Sequence, residues 1–252
     1  MPLNRIPFMN IHLDNITTEE AMDYIDEWIA SRRVGQIITP NCDQIVQVEK
    51  NPALAPIWNS AELLFADGHP LLWFAKWYKT PLKEKINGSS FVPELCARAA
   101  QKGYSVFLLG AGPGVADQAA ENLKATYPGI RIAGTFSPSY GFEKKPEEVA
   151  AINEMLRESH ADILILGVGV PKQEIFGYEN QEKYNIPVTI NAGATIDFLA
   201  GNKKRAPKWM VDNGLEWLYR MLKEPKRVGK RVLTDLRIFY LAWKYRPKRM
   251  KG

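Results

Sequence analysis

The chain has few of the residues that build metal or disulfide sites. Its 252 residues include two cysteines, Cys42 and Cys96, and three scattered histidines, His12, His69 and His160. Two cysteines cannot form a disulfide framework, so we expect reduced thiols in a cytosolic protein. These five residues also make no plausible zinc set. The sequence therefore gives no sign of a structural metal site.

Several catalytic motifs are missing as well. There is no Gly-x-Ser-x-Gly elbow for an acyl-transfer nucleophile, no Walker lysine and no Asp-x-Asp. The last absence removes the usual carboxylate pair that holds a divalent ion against a nucleotide-sugar diphosphate. Charge on a departing diphosphate would then have to be met by Lys, Arg, backbone amides and helix dipoles.

Long apolar runs are also absent. The N-terminus lacks the apolar core of a signal peptide. The purest apolar run of the tail, residues 238–243, has six residues, against roughly twenty for a helix that spans a bilayer. We expect a cytosolic protein that touches a membrane without crossing it.

Basic residues are concentrated at the C-terminal end. Residues 202–252 contain sixteen Lys and Arg against four acids, a net charge of +12, while the preceding residues carry −7. A mildly acidic body with a strongly basic end predicts contact with something anionic, such as a membrane surface, nucleic acid or a phosphorylated substrate.

Short apolar runs alternate with amphipathic stretches, which is typical of a parallel sheet covered by helices. The predicted strands cover residues 7–13, 36–39, 63–66, 105–109, 131–136, 163–166 and 188–190, and the predicted helices cover 17–31, 43–50, 90–102, 113–127, 146–159 and 172–183. The fold class is therefore α/β, with a Rossmann-like, mostly parallel sheet. We assign residues 1–201 to a catalytic domain and residues 202–252 to a helical, membrane-associating appendage.

The appendage shows two apolar stripes at helical spacing, separated by Pro225. Leu215, Leu218, Tyr219 and Leu222 form the first; Val232, Leu233, Leu236, Phe239, Tyr240 and Trp243 form the second. Two amphipathic helices joined at a proline are expected. We expect the apolar residues of this segment, from Leu215 to Trp243, to meet a membrane interface, to pack on the body or a neighbouring subunit, or to do both.

Polar clusters follow four of the predicted strands. They are residues 39–43, 66–68, 167–174 and 191–195. Ligands of open α/β sheets bind outside the carboxyl ends of the strands. Each cluster alone is more often a cap or a turn, but four together favour a shared site.

The glycine-rich segment 110–114 follows a predicted strand and opens a helix. Such a turn can present backbone amides to a diphosphate. Val115 stands where a dinucleotide fingerprint has its third glycine, and no acid ends the next strand to hold a ribose. A nucleotide contact and a simple tight turn are equally good readings.

With these clusters in view, the chain resembles the WecG/TagA/CpsF family of glycosyltransferases (glycosyltransferase family 26) over nearly its whole length. The motifs that carry the resemblance are Thr39-Pro-Asn41, Ala66-Asp67-Gly68, Lys85-Ile-Asn-Gly88, Gly169-Val-Pro171-Lys-Gln173-Glu174, Gly193-Ala-Thr-Ile-Asp197, Lys204-Arg205-Ala-Pro207-Lys-Trp209, Gly214-Leu-Glu216-Trp217 and Glu224-Pro225-Lys-Arg227.

The resemblance implies an inverting, metal-independent transferase without a cofactor. Such enzymes move a sugar, N-acetylmannosamine or a related hexose, from a UDP-sugar to a polyprenyl-diphosphate-linked sugar. They work at the cytoplasmic membrane face, in teichoic acid or surface-polysaccharide synthesis. Inversion is a single displacement, which needs one base and stabilisation of the leaving diphosphate but no covalent nucleophile.

The resemblance also assigns roles to residues. The implied catalytic residues are Asp67 as general base, with Thr39, Asn41 and Gln173. The candidate substrate-binding residues are Lys85, Asn87, Gly88, Gly110, Gly112, Pro171, Glu174, Asn191, Asp197, Arg205, Arg220, Arg227 and Lys230. Lys85 stands where the family has Arg, which keeps the charge but loses the bidentate fork.

Two other function classes stay open on the sequence alone. A tail with a net charge of +12 could bind nucleic acid. Because its basic residues interleave with an aliphatic stripe and form no continuous basic face, we expect no nucleic-acid partner. An NAD-dependent oxidoreductase is disfavoured by the incomplete glycine fingerprint. The sequence leaves both a monomer and a homo-oligomer open.

Overall fold

The structure, a computed structural model, describes residues 3–203, 206, 207, 210, 219, 222 and 236–247. Its strands are β1 (Arg5–Phe8), β2 (Ile11–Asp14), β3 (Gly35–Ile38), β4 (Leu63–Leu64), β5 (Ser105–Gly110), β6 (Arg131–Phe136), β7 (Ile163–Gly167) and β8 (Val188–Asn191). Its α-helices are α1 (Thr18–Ala30), α2 (Cys42–Lys50), α3 (Ala55–Asn59), α4 (His69–Trp77), α5 (Gly88–Lys102), α6 (Val115–Thr126), α7 (Pro146–Glu158), α8 (Lys172–Tyr184), α9 (Thr195–Leu199) and α10 (Arg237–Lys244). The predicted strands from residue 36 onward and the predicted helices of the body are confirmed.

Strands β3 to β8 form one parallel sheet in the order β4-β3-β8-β7-β5-β6. Successive residues of each strand pack on opposite faces, as the pleat requires. In β7, Ile163 and Ile165 join the core under α1, α5, α6 and α9, whereas Leu164 and Leu166 join the core under α7 and α8. This two-sided burial explains why the strands are continuous apolar runs. The predicted α/β class is confirmed.

The predicted single strand at residues 7–13 is wrong. The structure has an antiparallel hairpin there, in which β1 pairs with β2. The turn is at Met9, which has a positive φ of 52°, and the apolar pattern runs through it unbroken. The hairpin covers the edge of the sheet: Leu64 N donates to Asp14 Oδ2 at 2.8 Å, and Asp14 is buried and paired with Arg5. This contact satisfies a backbone donor that an edge strand would otherwise expose.

Three short helices, α3, α4 and α9, lie where the sequence analysis predicts none. In α4 the buried residues Leu71, Phe74 and Ala75 have helical spacing, but only over nine residues. A stripe of that length is too short to distinguish a helix by periodicity alone.

The C-terminal helix α10 packs on the body. Ile238, Leu241 and Ala242 are buried against the hairpin, α2 and α4. Tyr78 Oη donates to Ala242 O at 2.7 Å, and Lys244 pairs with Glu49 at 2.5 Å. Burial raises the pKa of Tyr78 to about 12, so this hydroxyl stays a donor.

The opposite face of α10 is exposed. Leu236, Phe239, Tyr240 and Trp243, all members of the predicted second stripe, are each more than half exposed. The helix is therefore apolar on two sides. The sequence analysis identified the exposed stripe of α10 but not its buried face. Two further members of the predicted second stripe, Val232 and Leu233, lie outside the described residues, as do Leu215 and Leu218 of the predicted first stripe.

Two leucines of this segment test its packing. Leu241→Ala removes a side chain that is 2% exposed, so we expect a loss of roughly 2–5 kcal/mol in unfolding free energy. Leu236→Ala makes the same chemical change at a residue 55% exposed and should cost less than about 0.5 kcal/mol. Urea unfolding of both variants measures the difference. Equal effects would mean that α10 does not belong to the core.

Candidate active site

The predicted polar clusters all lie at one edge of the sheet. Thr39 follows β3, Asp67 lies three residues beyond the end of β4, Gly169 follows β7 and Asn191 ends β8. Because every strand of the sheet is parallel, these four positions share its carboxyl edge. This is the edge at which open α/β sheets bind ligands.

The loops after β3 and β4 are joined by backbone hydrogen bonds. Asp67 N donates to Pro40 O at 2.9 Å, and Ile86 N donates to Ala66 O at 3.2 Å. Thr39 is buried, whereas Asn41 and Asp67 are half-buried. The backbone of the Asp67 loop is thus held by its neighbours on both sides, and its side chain keeps partial access to solvent.

Asn41 and Asn87 each cap a helix at this edge. Asn41 Oδ1 accepts from Gln44 N at 3.2 Å at the start of α2, and Asn87 Oδ1 accepts from Ser90 N at 2.8 Å at the start of α5. Both side chains therefore have a structural role, and both helix N-termini point at the shared edge. The amides there favour negative charge.

Gly88 brings α5 against the loops after β3 and β8. A Cβ at Gly88 would lie 3.4 Å from Thr39 Oγ1, 3.9 Å from Thr195 Oγ1 and 4.0 Å from Asn191 O. Thr195 is buried and donates to Ala192 O at 2.6 Å. It belongs to a predicted cluster, but no sequence pattern distinguished it from its neighbours. Gly88 thus lies where three segments meet, and a Cβ there would make ordinary van der Waals contacts.

Gln173 joins two further loops of the edge. Its side chain is 1% exposed, and its Oε1 accepts from Gly169 N at 3.3 Å and from Gly193 N at 3.2 Å. Gln173 Nε2 donates to Glu174 Oε1 at 2.9 Å. The loops after β7 and β8 are thus tied to each other by one amide side chain. Gln173 lies at the edge of the sheet, but its side-chain carbonyl oxygen is turned toward the backbone of Gly169 and Gly193.

Glu174 and Asn191, predicted as substrate contacts, lie behind the edge. Glu174 is 0% exposed, and Asn191 Nδ2 donates to Gln36 Oε1 at 2.9 Å and to Ile37 O at 3.2 Å. Burial raises the pKa of the Glu174 carboxyl to about 7, and its hydrogen bond from Gln173 only partly opposes this. The two side chains serve the interior beneath the site.

The glycine-rich turn after β5 has a packing reason for one glycine. A Cβ at Gly110 would lie 2.4 Å from Gly167 O, and the φ of Gly110 is +134°. Only glycine fits this close approach. Gly112 is exposed, and its carbonyl accepts from Ser137 Oγ at 2.9 Å. The tight-turn reading accounts for Gly110, while Gly112 is free to meet a ligand through its exposed surface.

The remaining predicted binding residues are placed unequally. Lys85 is half-buried in the segment that leads to Asn87, and Pro171, in a cis peptide with Val170, precedes α8. Asp197 pairs with Lys203 at 3.4 Å. Arg205, Arg220, Arg227 and Lys230 lie outside the described residues.

No group of three His, Cys, Asp or Glu side chains within the described part of the chain is arranged to hold a metal ion. In the same part of the chain, no helix combines the length and the apolar character needed to span a bilayer.

Comparison with known proteins identifies a family and a relative. The family described as Glycosyl transferase WecG/TagA/CpsF family matches residues 6–252. The chain is also similar to the N-acetylglucosaminyldiphosphoundecaprenol N-acetyl-beta-D-mannosaminyltransferase of Bacillus spizizenii (strain ATCC 23059 / NRRL B-14472 / W23). The two are 30% identical over 233 residues, which cover 92% of this chain and 86% of that protein.

The capping role of Asn41 can be separated from any role in binding. Asn41→Ala removes the acceptor for Gln44 N and should lower the unfolding free energy by about 1 kcal/mol. Asn41→Asp keeps a cap and should unfold at nearly the wild-type denaturant midpoint. Chemical denaturation compares the two; an alanine variant as stable as the aspartate variant would remove the cap from the account.

Proposed function

Because the chain belongs to the WecG/TagA/CpsF family of glycosyl transferases, we propose that it transfers N-acetylmannosamine or a related hexose from a UDP-sugar to a polyprenyl-diphosphate-linked sugar. The product would enter teichoic acid or surface-polysaccharide synthesis. Neither nucleic-acid binding nor NAD-dependent oxidoreduction is favoured by this membership. The observation that carries the proposal is the convergence of four strand-end loops, tied together by Gln173 and by the Asp67–Pro40 hydrogen bond, at one edge of the sheet.

Asp67 is the proposed general base. In an inverting displacement the acceptor hydroxyl loses its proton as it attacks the anomeric carbon, and UDP leaves on the other side. Asp67 is a half-buried carboxylate at the sheet edge, and the peptide group that joins it to Ala66 donates to Pro40 O and accepts from Ile86 N. A base held in this way needs little reorganisation when the acceptor arrives.

The leaving diphosphate is proposed to be met without a divalent ion. The N-termini of α2 and α5, the amides near Gly88 and Gly112 and the charge of Lys85 lie at or near the edge. Arg205, Arg220, Arg227 and Lys230 of the basic C-terminal segment are proposed to add charge-assisted contacts. The segment from residue 202 onward would then form part of the active site.

We further propose that the protein attaches peripherally to the cytoplasmic face of an anionic membrane. Helices α4 and α10 meet where the rings of Phe74 and Phe239 pack edge to face, with centroids 5.6 Å apart. The aromatic surface of these helices consists of Trp73, Trp77, Leu236, Phe239, Tyr240 and Trp243, of which Trp73 is 63% and Trp243 64% exposed. Lys76, Lys79, Arg237, Lys244 and Arg246 lie among or next to them in sequence. Aromatic rings flanked by cations suit the interface of an anionic bilayer.

Asp67→Asn tests the base. Asparagine keeps the size of the side chain but accepts no proton, so turnover should fall by roughly 10²–10⁴-fold while the fold and UDP affinity are retained. Transfer is measured with a UDP-sugar panel and short-chain diphospholipid acceptors in excess EDTA, because no divalent ion is proposed to take part. Asp23→Asn, at an exposed acid of α1, is the matched control. Near-native turnover of the Asp67 variant would remove Asp67 from the mechanism.

The same assay tests the proposal that no divalent ion takes part. Loss of wild-type activity in EDTA would contradict it.

Replacing Leu236 and Trp243 together with serine tests the aromatic surface. Loss of two apolar anchors should weaken binding to phosphatidylglycerol-containing vesicles by about a hundredfold or more, since each buried side chain contributes roughly 1.5–3 kcal/mol. Transfer to a soluble acceptor should persist. Tyr140→Ser is the control, because Tyr140 is 99% exposed and follows β6 at the other side of the sheet. Vesicle flotation at physiological salt gives the comparison, and equal binding by all three proteins would place the membrane contact elsewhere.

A further inference from the structure

A buried layer of amide and carboxyl side chains lies directly beneath the candidate active site. We call Gln36, Gln173, Glu174 and Asn191 the inner polar layer; each is at most 2% exposed. Ile37 and Ile190 face the opposite side of the sheet, so their neighbours Gln36 and Asn191 face α8, which carries Gln173 and Glu174. Side chains in such a layer must satisfy one another or share a buried water, because bulk solvent does not reach them.

Hydrogen bonds fix the orientation of every amide in this layer. Gln173 Oε1 receives two backbone N–H groups, and Asn191 Nδ2 donates to two oxygens, Gln36 Oε1 and Ile37 O. Gln36 Nε2 then donates to the backbone carbonyl oxygen of Glu174 at 3.5 Å. Turning any of these amides around would set donor against donor or acceptor against acceptor.

Two oxygen atoms of the layer are left over. Glu174 Oε2 and Asn191 Oδ1 are buried and have no hydrogen-bond partner among the residues that the structure describes. Both are acceptors if Glu174 is ionised, and an uncompensated buried charge would add to the cost. A single proton on Glu174 turns one of these two acceptors into a donor and removes the charge.

We propose that Glu174 is a positioning residue that works as a neutral carboxylic acid. The proton on Oε2 supplies the donor that the inner polar layer lacks, directly or through one buried water shared with Asn191 Oδ1. The neutral layer in turn holds the Gln173 amide between the loops at Gly169 and Gly193. The proposal rests on the transferase function above, since those loops border the reacting substrates there.

The surroundings of Glu174 support the neutral form. Burial raises the pKa of its carboxyl to about 7, and among the described residues no charged side chain contributes to that shift. On α8, Lys172 is engaged with Glu143 at 2.9 Å. The Tyr184 hydroxyl bonds Thr189 Oγ1 of β8 at 2.8 Å, and burial raises the pKa of Tyr184, so it too stays neutral.

The proposal predicts how stability changes with pH. The folded carboxyl has a pKa of about 7 against an ordinary value of 4.5, so its contribution to stability is full below pH 4.5 and is lost as the pH rises through 7. Glutamine reproduces one acceptor and one donor and cannot ionise. Between pH 5.5 and 8.5 the wild-type Tm should therefore fall about 4–8 °C more than that of Glu174→Gln.

The same comparison applies to transfer. Wild-type turnover relative to Glu174→Gln should fall roughly thirtyfold from pH 6 to pH 8.5, as the neutral form with its pKa of about 7 is depleted. Glu174→Leu, which offers Gln173 no partner, should lose at least about tenfold in kcat at every pH, and the glutamine variant should restore it. Glu182→Gln removes the same charge at an exposed position of α8 and should follow the wild-type profile.

Thermal unfolding and transfer are measured on the full-length wild type and these three variants across pH 5.5–8.5. Wild type and Glu174→Gln with the same pH dependence in both measurements would overturn the proposal. So would a folded Glu174→Gln that is inactive at all pH values, since the carboxylate charge would then be required. If the wild type transfers no sugar either, the proposed function fails, while the unfolding comparison still decides the state of Glu174.

Discussion

Parallel pairing is the constraint on which the rest of this molecule depends. Because β3 to β8 run in one direction, helices must cover both faces of the sheet, and every strand-end loop meets at one edge. Segments far apart in the chain, such as Thr39, Gly88 and Thr195, come within contact distance for this reason. The chemistry of the site is then supplied by loops whose positions are fixed by the sheet. The hairpin β1–β2 and helix α10 complete the arrangement by covering the side next to β4.

Much of this arrangement could be predicted from the sequence because burial on both faces leaves a strong apolar signal in each strand. The turn at Met9 and Asn10 was missed because the apolar alternation of Pro7, Met9, Ile11 and Leu13 continues through it, with Asn10 as the single turn-favouring residue. Helix α4 was missed because it has only nine residues. The buried face of α10 was missed because the exposed stripe on the other side of the helix is also apolar. Periodicity detects one apolar face at a time.

For the site, sequence patterns located the strand-end clusters but could not divide them into edge and interior. Gln173 and Glu174 are adjacent in an apparently single motif, yet the first ties two loops and the second lies wholly within the polar layer beneath them. Likewise Gly110 is required by packing against Gly167, while Gly112 of the same turn is exposed. Such distinctions depend on three-dimensional neighbours.

Helix α4 has a further consequence for the choice of acceptor. It starts two residues after Asp67, the proposed base, and bears Trp73 and Trp77, which belong to the proposed lipid contact. A single short helix therefore connects the base to the lipid contact. Nine helical residues measure about 13 Å. With the proposed base and the proposed lipid contact joined in this way, the height of the acceptor hydroxyl above the bilayer would be a second basis for selection, beside the sugar that bears it. A lipid-linked chain that has already grown by further sugars would present its end too far from the membrane to be extended again.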